Sequence, residues 1–206
     1  MKRNEEEKSM KISEEMKERL IASAVMVVAR DGLSKATTKA IAAEADLNEA
    51  YIYRAFDSKE DLLKEAMKME DRNFVAFLAG AFPLMRNEEL SWKQRSYQLW
   101  SKAWDFITGK PDDCSFYIRY YYSVNYRTYA QEEHLQIYQP VIDQFRTRVK
   151  PGVNTELLVH QIFVTMLAFA AKVIDGSETN DEKLKNFVFS QIYSFVQPNL
   201  LDCYRE

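Results

Sequence analysis

Side chains able to carry covalent or metal chemistry are few in this sequence and widely scattered. Two histidines, His134 and His160, lie 26 positions apart, and two cysteines, Cys114 and Cys203, lie 89 apart. Neither spacing fits an ordinary zinc or redox site. Five glycines occur, no two closer than 24 positions, which removes a dinucleotide fingerprint, a P-loop and a strand–turn nucleophile elbow. Carboxylates such as Asp105 and Asp143 could meet in space, but with no nucleophile–base pair, glycine loop or metal cluster in the sequence, no catalytic residue and no cofactor are expected. The chemistry that remains is recognition. Residues 116–129, FYIRYYYSVNYRTY, hold seven aromatics in fourteen positions, with Arg119 and Arg127 among them. Upstream, Tyr97, Trp100, Trp104 and Ile107 fall on one face at helical spacing. Rings stack on planar ligands and phenols fix orientation, so Trp100, Trp104, Tyr117 and Tyr121 are candidate ligand-binding residues. Asp105 or Arg119 would supply the polar anchor, and the expected effector is planar and apolar or aromatic. The same rings could instead fill an aromatic core, although buried phenols need partners, so Tyr117, Tyr120, Tyr121 and Tyr122 cannot all be passive filler.

The elements that must position these residues are helices. The chain has 206 residues, 47% hydrophobic and 29% charged, with net charge −3; this composition predicts a folded chain of one or two domains. Few glycines and prolines and no alternating β-branched runs predict an all-α fold of about nine helices. Ser13 caps a run closed by Gly32, and Thr37 or Thr38 caps the short segment KAIAAEA. A second short helix covers about 48–56, and Ser58 with Asp61 opens a long helix that Pro83 stops. Longer helices follow over 91–108, 113–126, from about 129 with a kink or break at Pro140, over 154–175 and over 181–196. The longest nearly apolar stretch, 162–171, is ten residues, too short for a membrane span. The opening MKRNEEEKSMK lacks the apolar segment of a secretory signal, and unpaired thiols fit a cytoplasmic location.

Short helices cluster in 35–57 and long ones follow, the outline of a helix-turn-helix reader. Ala42, Ala43 and Ala45 keep the first short helix slim, while Ile41, Leu47, Ile52 and Phe56 can lock the pair. Asp46 stands at the turn and tolerates the left-handed conformation. Residues 37–63, TTKAIAAEADLNEAYIYRAFDSKEDLL, resemble the signature of the tetracycline-repressor (TetR) family of bacterial regulators. The likeness rests on the threonine cap, Ile41-Ala42, Ala45, Leu47, Asn48, Ala50, Ile52-Tyr53, Phe56, Lys59-Glu60 and Leu62, and spans roughly 13–66. It implies a helix-turn-helix DNA-binding domain at 1–57 and an effector-binding, dimerising domain at 58–206.

Carried over residue by residue, the resemblance puts Thr37, Thr38, Tyr53 and Lys59 at phosphate-holding positions. Lys39, Asn48, Glu49, Ala50, Tyr51 and Arg54 join them in the DNA-binding set, Lys39, Glu49, Ala50, Tyr51 and Arg54 at the groove or its rim. Hydroxyls and a lysine at helix N-termini suit anion binding in their own right. Two departures from the family pattern stand out: Ala55 where His or Tyr is common, and Asp46 where glycine is usual. Residues 37–59 carry net charge −1, low for a DNA reader. The implied function is a ligand-responsive regulator, a repressor by analogy, that binds a palindromic double-stranded operator as a homodimer through its last two long helices. The rival is a helical small-molecule or protein-interaction module without DNA binding.

Overall fold

Helix starts and stops in this chain follow identifiable side-chain and turn chemistry. The computed structural model describes residues 13–204, and among them lie nine α-helices and no β-strand. The charged opening stretch discussed above lies outside the described residues. Helix α1 (Glu14–Asp31) starts at Ser13, whose Oγ accepts the Met16 N–H at 3.3 Å, and stops at Gly32, φ +85°. Then come α2 (Thr38–Glu44), α3 (Ala50–Ala55) and α4 (Lys59–Ala81). Pro83 lies in a 3₁₀ turn, Phe82–Arg86, that ends α4. Helix α5 (Trp92–Thr108) opens on a full capping box between Ser91 and Gln94. Helices α6 (Pro111–Tyr121), α7 (Gln131–Arg146), α8 (Thr155–Ile174) and α9 (Glu182–Val196) complete the set.

Two expectations change and one is narrowed. Helix α6 ends at Tyr121, five residues early, because Ser123 competes for the backbone. Its hydroxyl donates to the Tyr120 carbonyl at 2.6 Å and accepts the Tyr126 N–H at 3.3 Å. A π-helical turn, Tyr126–Ala130, then leads into α7. Helix α7 is not split at Pro140: the carbonyl that proline leaves unbonded belongs to exposed Gln136, where water can satisfy it. Finally, α8 is long and apolar enough to cross a membrane by length and composition, with 20 residues and mean hydropathy 1.9. A count of contiguous apolar residues missed this, since His160 and Gln161 interrupt the run without adding charge. A core helix passes the same test, and α8 buries Leu158, Phe163, Met166, Leu167 and Ala170.

The chain forms two compact units, residues up to 70 with 115–132, and residues 71–114 with 133 onward. Compared with a partition at 57/58, the N-terminal unit gains the start of α4 and most of α6. Its core holds Leu20, Val27, Ile41, Ile52, Leu62 and Phe116, each 0% exposed; burial of each contributes roughly 1.5–3 kcal/mol. In the C-terminal unit α5, α7, α8 and α9 bury Trp104, Tyr138, Phe163, Val188 and Ile192. There Asp71 of α4 and His134 of α7 form a buried pair, with Nδ1 3.0 and 3.1 Å from the two carboxylate oxygens.

Candidate nucleic-acid interface and effector cavity

The short helix pair is built by caps and one left-handed residue. Thr37 Oγ1 accepts the Ala40 N–H at 3.1 Å and starts α2. At its far end Asp46 takes φ +53°. The Leu47 N–H then bonds the Ala42 carbonyl at 2.8 Å and the Asp46 N–H bonds the Ala43 carbonyl at 3.0 Å, a Schellman closure with aspartate in the usual glycine position. Asn48 Oδ1 accepts the Ala50 N–H at 2.9 Å and so starts α3. Ile41, Ala42, Ala45, Ile52 and Phe56 are buried and hold the pair together. Ser58 Oγ accepts the Asp61 N–H at 3.0 Å, and Asp61 accepts the Asp57 N–H at 3.3 Å, setting the start of α4.

What the pair leaves outward is polar and continuous along the chain. Of the ten residues singled out from sequence, Thr37, Lys39, Asn48, Ala50, Tyr53 and Arg54 are exposed, and Thr38, Glu49, Tyr51 and Lys59 are half-buried. None is in the core. Tyr53, whose ring could have braced the helix pair, is 60% exposed. The Thr38 hydroxyl donates to Glu49, tying α2 to α3, and the Arg54 guanidinium lies 5.6 Å from the Tyr51 ring centroid. Lys59, the first residue of α4, is 3.8 Å from Glu60.

Sequence reasoning missed how the acidic neighbours are held. Arg30 of α1 reaches Glu44 at 2.9 Å and Asp31 at 3.2 Å, and Arg19 reaches Asp46 at 3.8 Å. Hydrogen bonds to Glu44, then to Asp31, hold the Arg30 guanidinium above its ordinary pKa. The two arginines pair with Glu44 and Asp46 in this way, although residues 13–59 as a whole still carry net charge −1. The 14-residue separation of Arg30 from Glu44 hid this from any scan of 37–59.

The C-terminal unit holds a partly open cavity of about 140 Å³. Phe74 and Leu78 of α4, Trp100 of α5, Tyr138 of α7, Phe163 of α8 and Phe189 of α9 are among its walls, and Arg148 is its sole charged lining residue. Of the six ligand-binding candidates read from sequence, only Trp100 lines it. Trp104 is 0% exposed, with Nε1 donating to Asn180 Oδ1 at 2.8 Å. Asp105 is exposed and pairs with Lys185 at 2.8 Å. Tyr117 and Tyr121 stack on each other at 6.1 Å within the N-terminal unit, and Arg119 donates from Nε to Ser115 Oγ at 3.3 Å there. The run of aromatics on α6 is thus dense in sequence but builds another unit's interior. The residues that do line the cavity come from five helices, and no local run announced them. Burial pushes the Cys114 thiol up to about 12, which leaves it protonated and unreactive. Among the described residues no group of three His, Cys, Asp or Glu is placed to hold a metal.

Comparison with known proteins agrees with this architecture. Residues 20–66 match the family model described as bacterial regulatory proteins, tetR family. No curated protein matches the chain. Among solved structures, a tetR family transcription regulator from Shewanella sp. PV-4 superposes with TM-score 0.73 at 18% identity, covering 87% of this chain and 97% of that one. A TetR family regulator from Marinobacter aquaeolei VT8 gives 0.69 at 16% identity, covering 87% and 94%. The regulator FadR from Bacillus subtilis, solved with stearoyl-CoA, gives 0.63 at 21% identity, covering 85% and 97%. The chain therefore has the TetR-family fold, an N-terminal helix-turn-helix domain followed by a helical C-terminal domain, and residues 20–66 match the model of that family's N-terminal domain.

Proposed function

We propose that the protein is a cytoplasmic, ligand-responsive transcriptional repressor that binds a palindromic operator as a homodimer. The observation that carries this reading is that the locked pair α2–α3 and the start of α4 keep all ten candidate DNA-binding side chains out of the core. Thr37, Tyr53 and Lys59 hold phosphates and fix register, while Lys39, Tyr51 and Arg54 read or border the groove. Thr38 braces Glu49 and so sets the angle of α3.

One copy offers few contacts, so two must engage together, and a two-fold axis imposes palindromy. The dimer forms through α8 and α9. Only 28% of the apolar α8 segment is buried within one copy, and Leu157 and Phe187 are 64% and 49% exposed. Phe187 packs edge-on to Phe169 at 5.7 Å, giving a ready-made apolar face for a second copy.

The effector is a small apolar or aromatic molecule held in the C-terminal cavity. Phe74 and Leu78 in its wall belong to α4, the helix that begins at Lys59. A ligand acts on DNA by binding one arrangement of α4 better than another. A coupling on the order of 1–3 kcal/mol changes operator affinity roughly 5–150-fold. The test is selection of DNA sites from a random pool by the full-length protein. Enrichment of inverted repeats supports the reading. Failure to enrich any sequence at low salt overturns it in favour of a helical binding module without DNA, a rival that exposed Asp46 and Asp57 favour.

A further inference from the structure

Two tryptophans stand one turn apart on α5 and stack at 5.6 Å, yet their indole nitrogens have opposite fates. Trp104 Nε1 donates to Asn180, Asn180 Nδ2 donates to Thr108 Oγ1 at 3.1 Å, and the Thr108 hydroxyl donates to the Trp104 carbonyl at 2.9 Å. That circuit is closed. Trp100 is 7% exposed, lines the cavity, and its covered indole N–H has no hydrogen-bond partner. Such an orphan donor carries a desolvation penalty that calls for a reason.

The rest of the lining points the same way. Its polar side chains are Ser96, Trp100, Tyr138, Arg148 and Tyr193, with no carboxylate, carboxamide or imidazole among them. Arg148 donates to the Gln144 carbonyl and to Thr147 Oγ1 at 3.2 Å, beside the end of α7. The walls can offer hydrogen bonds to an acceptor, but they hold no anion for a cation. The volume is close to that of an engineered apolar cavity of about 150 Å³ that takes up benzene.

Resting on the effector reading above, we propose that the cavity selects an apolar molecule of single-ring or short-chain size bearing an acceptor oxygen, received by the Trp100 N–H, and rejects amines. The indole nitrogen itself is covered, so the ligand reaches it by displacing the atoms over it.

Three probes of similar shape test this by calorimetry: ethylbenzene, acetophenone and 1-phenylethylamine, against the wild type and Trp100→Phe. The expected result is that Trp100→Phe weakens acetophenone about tenfold, the range of one neutral hydrogen bond, and leaves ethylbenzene within about twofold. In the wild type labelled with ¹⁵N at its indoles, the Trp100 N–H resonance should move downfield with acetophenone and not with ethylbenzene. This second readout needs no substitution and survives a variant that fails to fold. If ethylbenzene binds but acetophenone neither shifts that resonance nor responds to Trp100→Phe, the acceptor assignment is overturned while the cavity reading stands. Tightest binding by the amine also overturns the assignment. Binding by none of the three overturns both.

Discussion

At the scale of single residues, the outward set on α2, α3 and the start of α4 divides by what each side chain can distinguish. A phosphate is the same on every base pair, so Tyr53→Phe and Lys59→Ala should weaken binding to all sequences alike. Lys59→Ala should also lower the salt-dependence slope by about one counterion. Substitutions at Lys39 or Tyr51 should instead change which bases are preferred. Filter or fluorescence titrations over a salt series, on the selected site and on random DNA, separate the two outcomes. An unchanged slope in Lys59→Ala would remove that lysine from the phosphate set. The helix pair itself was legible because a helix-turn-helix packs its signature into under thirty residues. The charge setting was not, since Arg19 and Arg30 reach Asp46 and Glu44 from a helix well upstream.

At the scale of elements, the Schellman turn after α2 holds a residue under mild strain. A left-handed conformation costs most L residues roughly 1–2 kcal/mol, aspartate somewhat less, and glycine little. The ion pair that Asp46 makes with Arg19 is long at 3.8 Å, with the carboxylate side chain 98% exposed, so its loss costs almost nothing. Asp46→Gly should therefore raise the thermal midpoint by a few degrees at most, and removing a negative charge should tighten DNA binding. Asp46→Ala should lower the midpoint. Melting curves for the two variants decide this, and a midpoint in Asp46→Gly below the wild type would refute the strain argument. Caps made most helix ends readable in advance: Ser13, Thr37, Ser91, Asn154 and Asp181 each accept an N–H three residues on. The end of α6 was unreadable because no proline or glycine marks it. A serine hydroxyl diverts the backbone, and serine is common inside helices.

At the scale of the whole molecule, the question is what covers α8 and α9. If a second copy does, Leu157→Asp together with Phe187→Asp should give a monomer by sedimentation and lose operator binding by well over tenfold, while helical content stays the same. A dimer that survives both charges would place the interface elsewhere. The cavity teaches a related lesson about reading sequences. The tyrosine-rich run of α6 drew attention because it is contiguous, whereas Phe74, Trp100, Tyr138, Phe163 and Phe189 are spread over more than a hundred residues. Enclosed space belongs to a set of helices, and helical periodicity reports only which face of each one turns inward.

The openness of α8 reaches beyond assembly. A single copy carries a twenty-residue helix of mean hydropathy 1.9 with 28% of its most apolar window buried. To chaperones and proteases this is the mark of an unfinished chain. In the dimer proposed above, pairing hides it, and pairing depends on concentration. The number of copies in a cell then sets more than occupancy of the operator. If the proposed dimer is the form that binds DNA, then below its dimerisation constant the protein would be both unable to span two half-sites and exposed to clearance, so a modest fall in synthesis would become a steep fall in active protein.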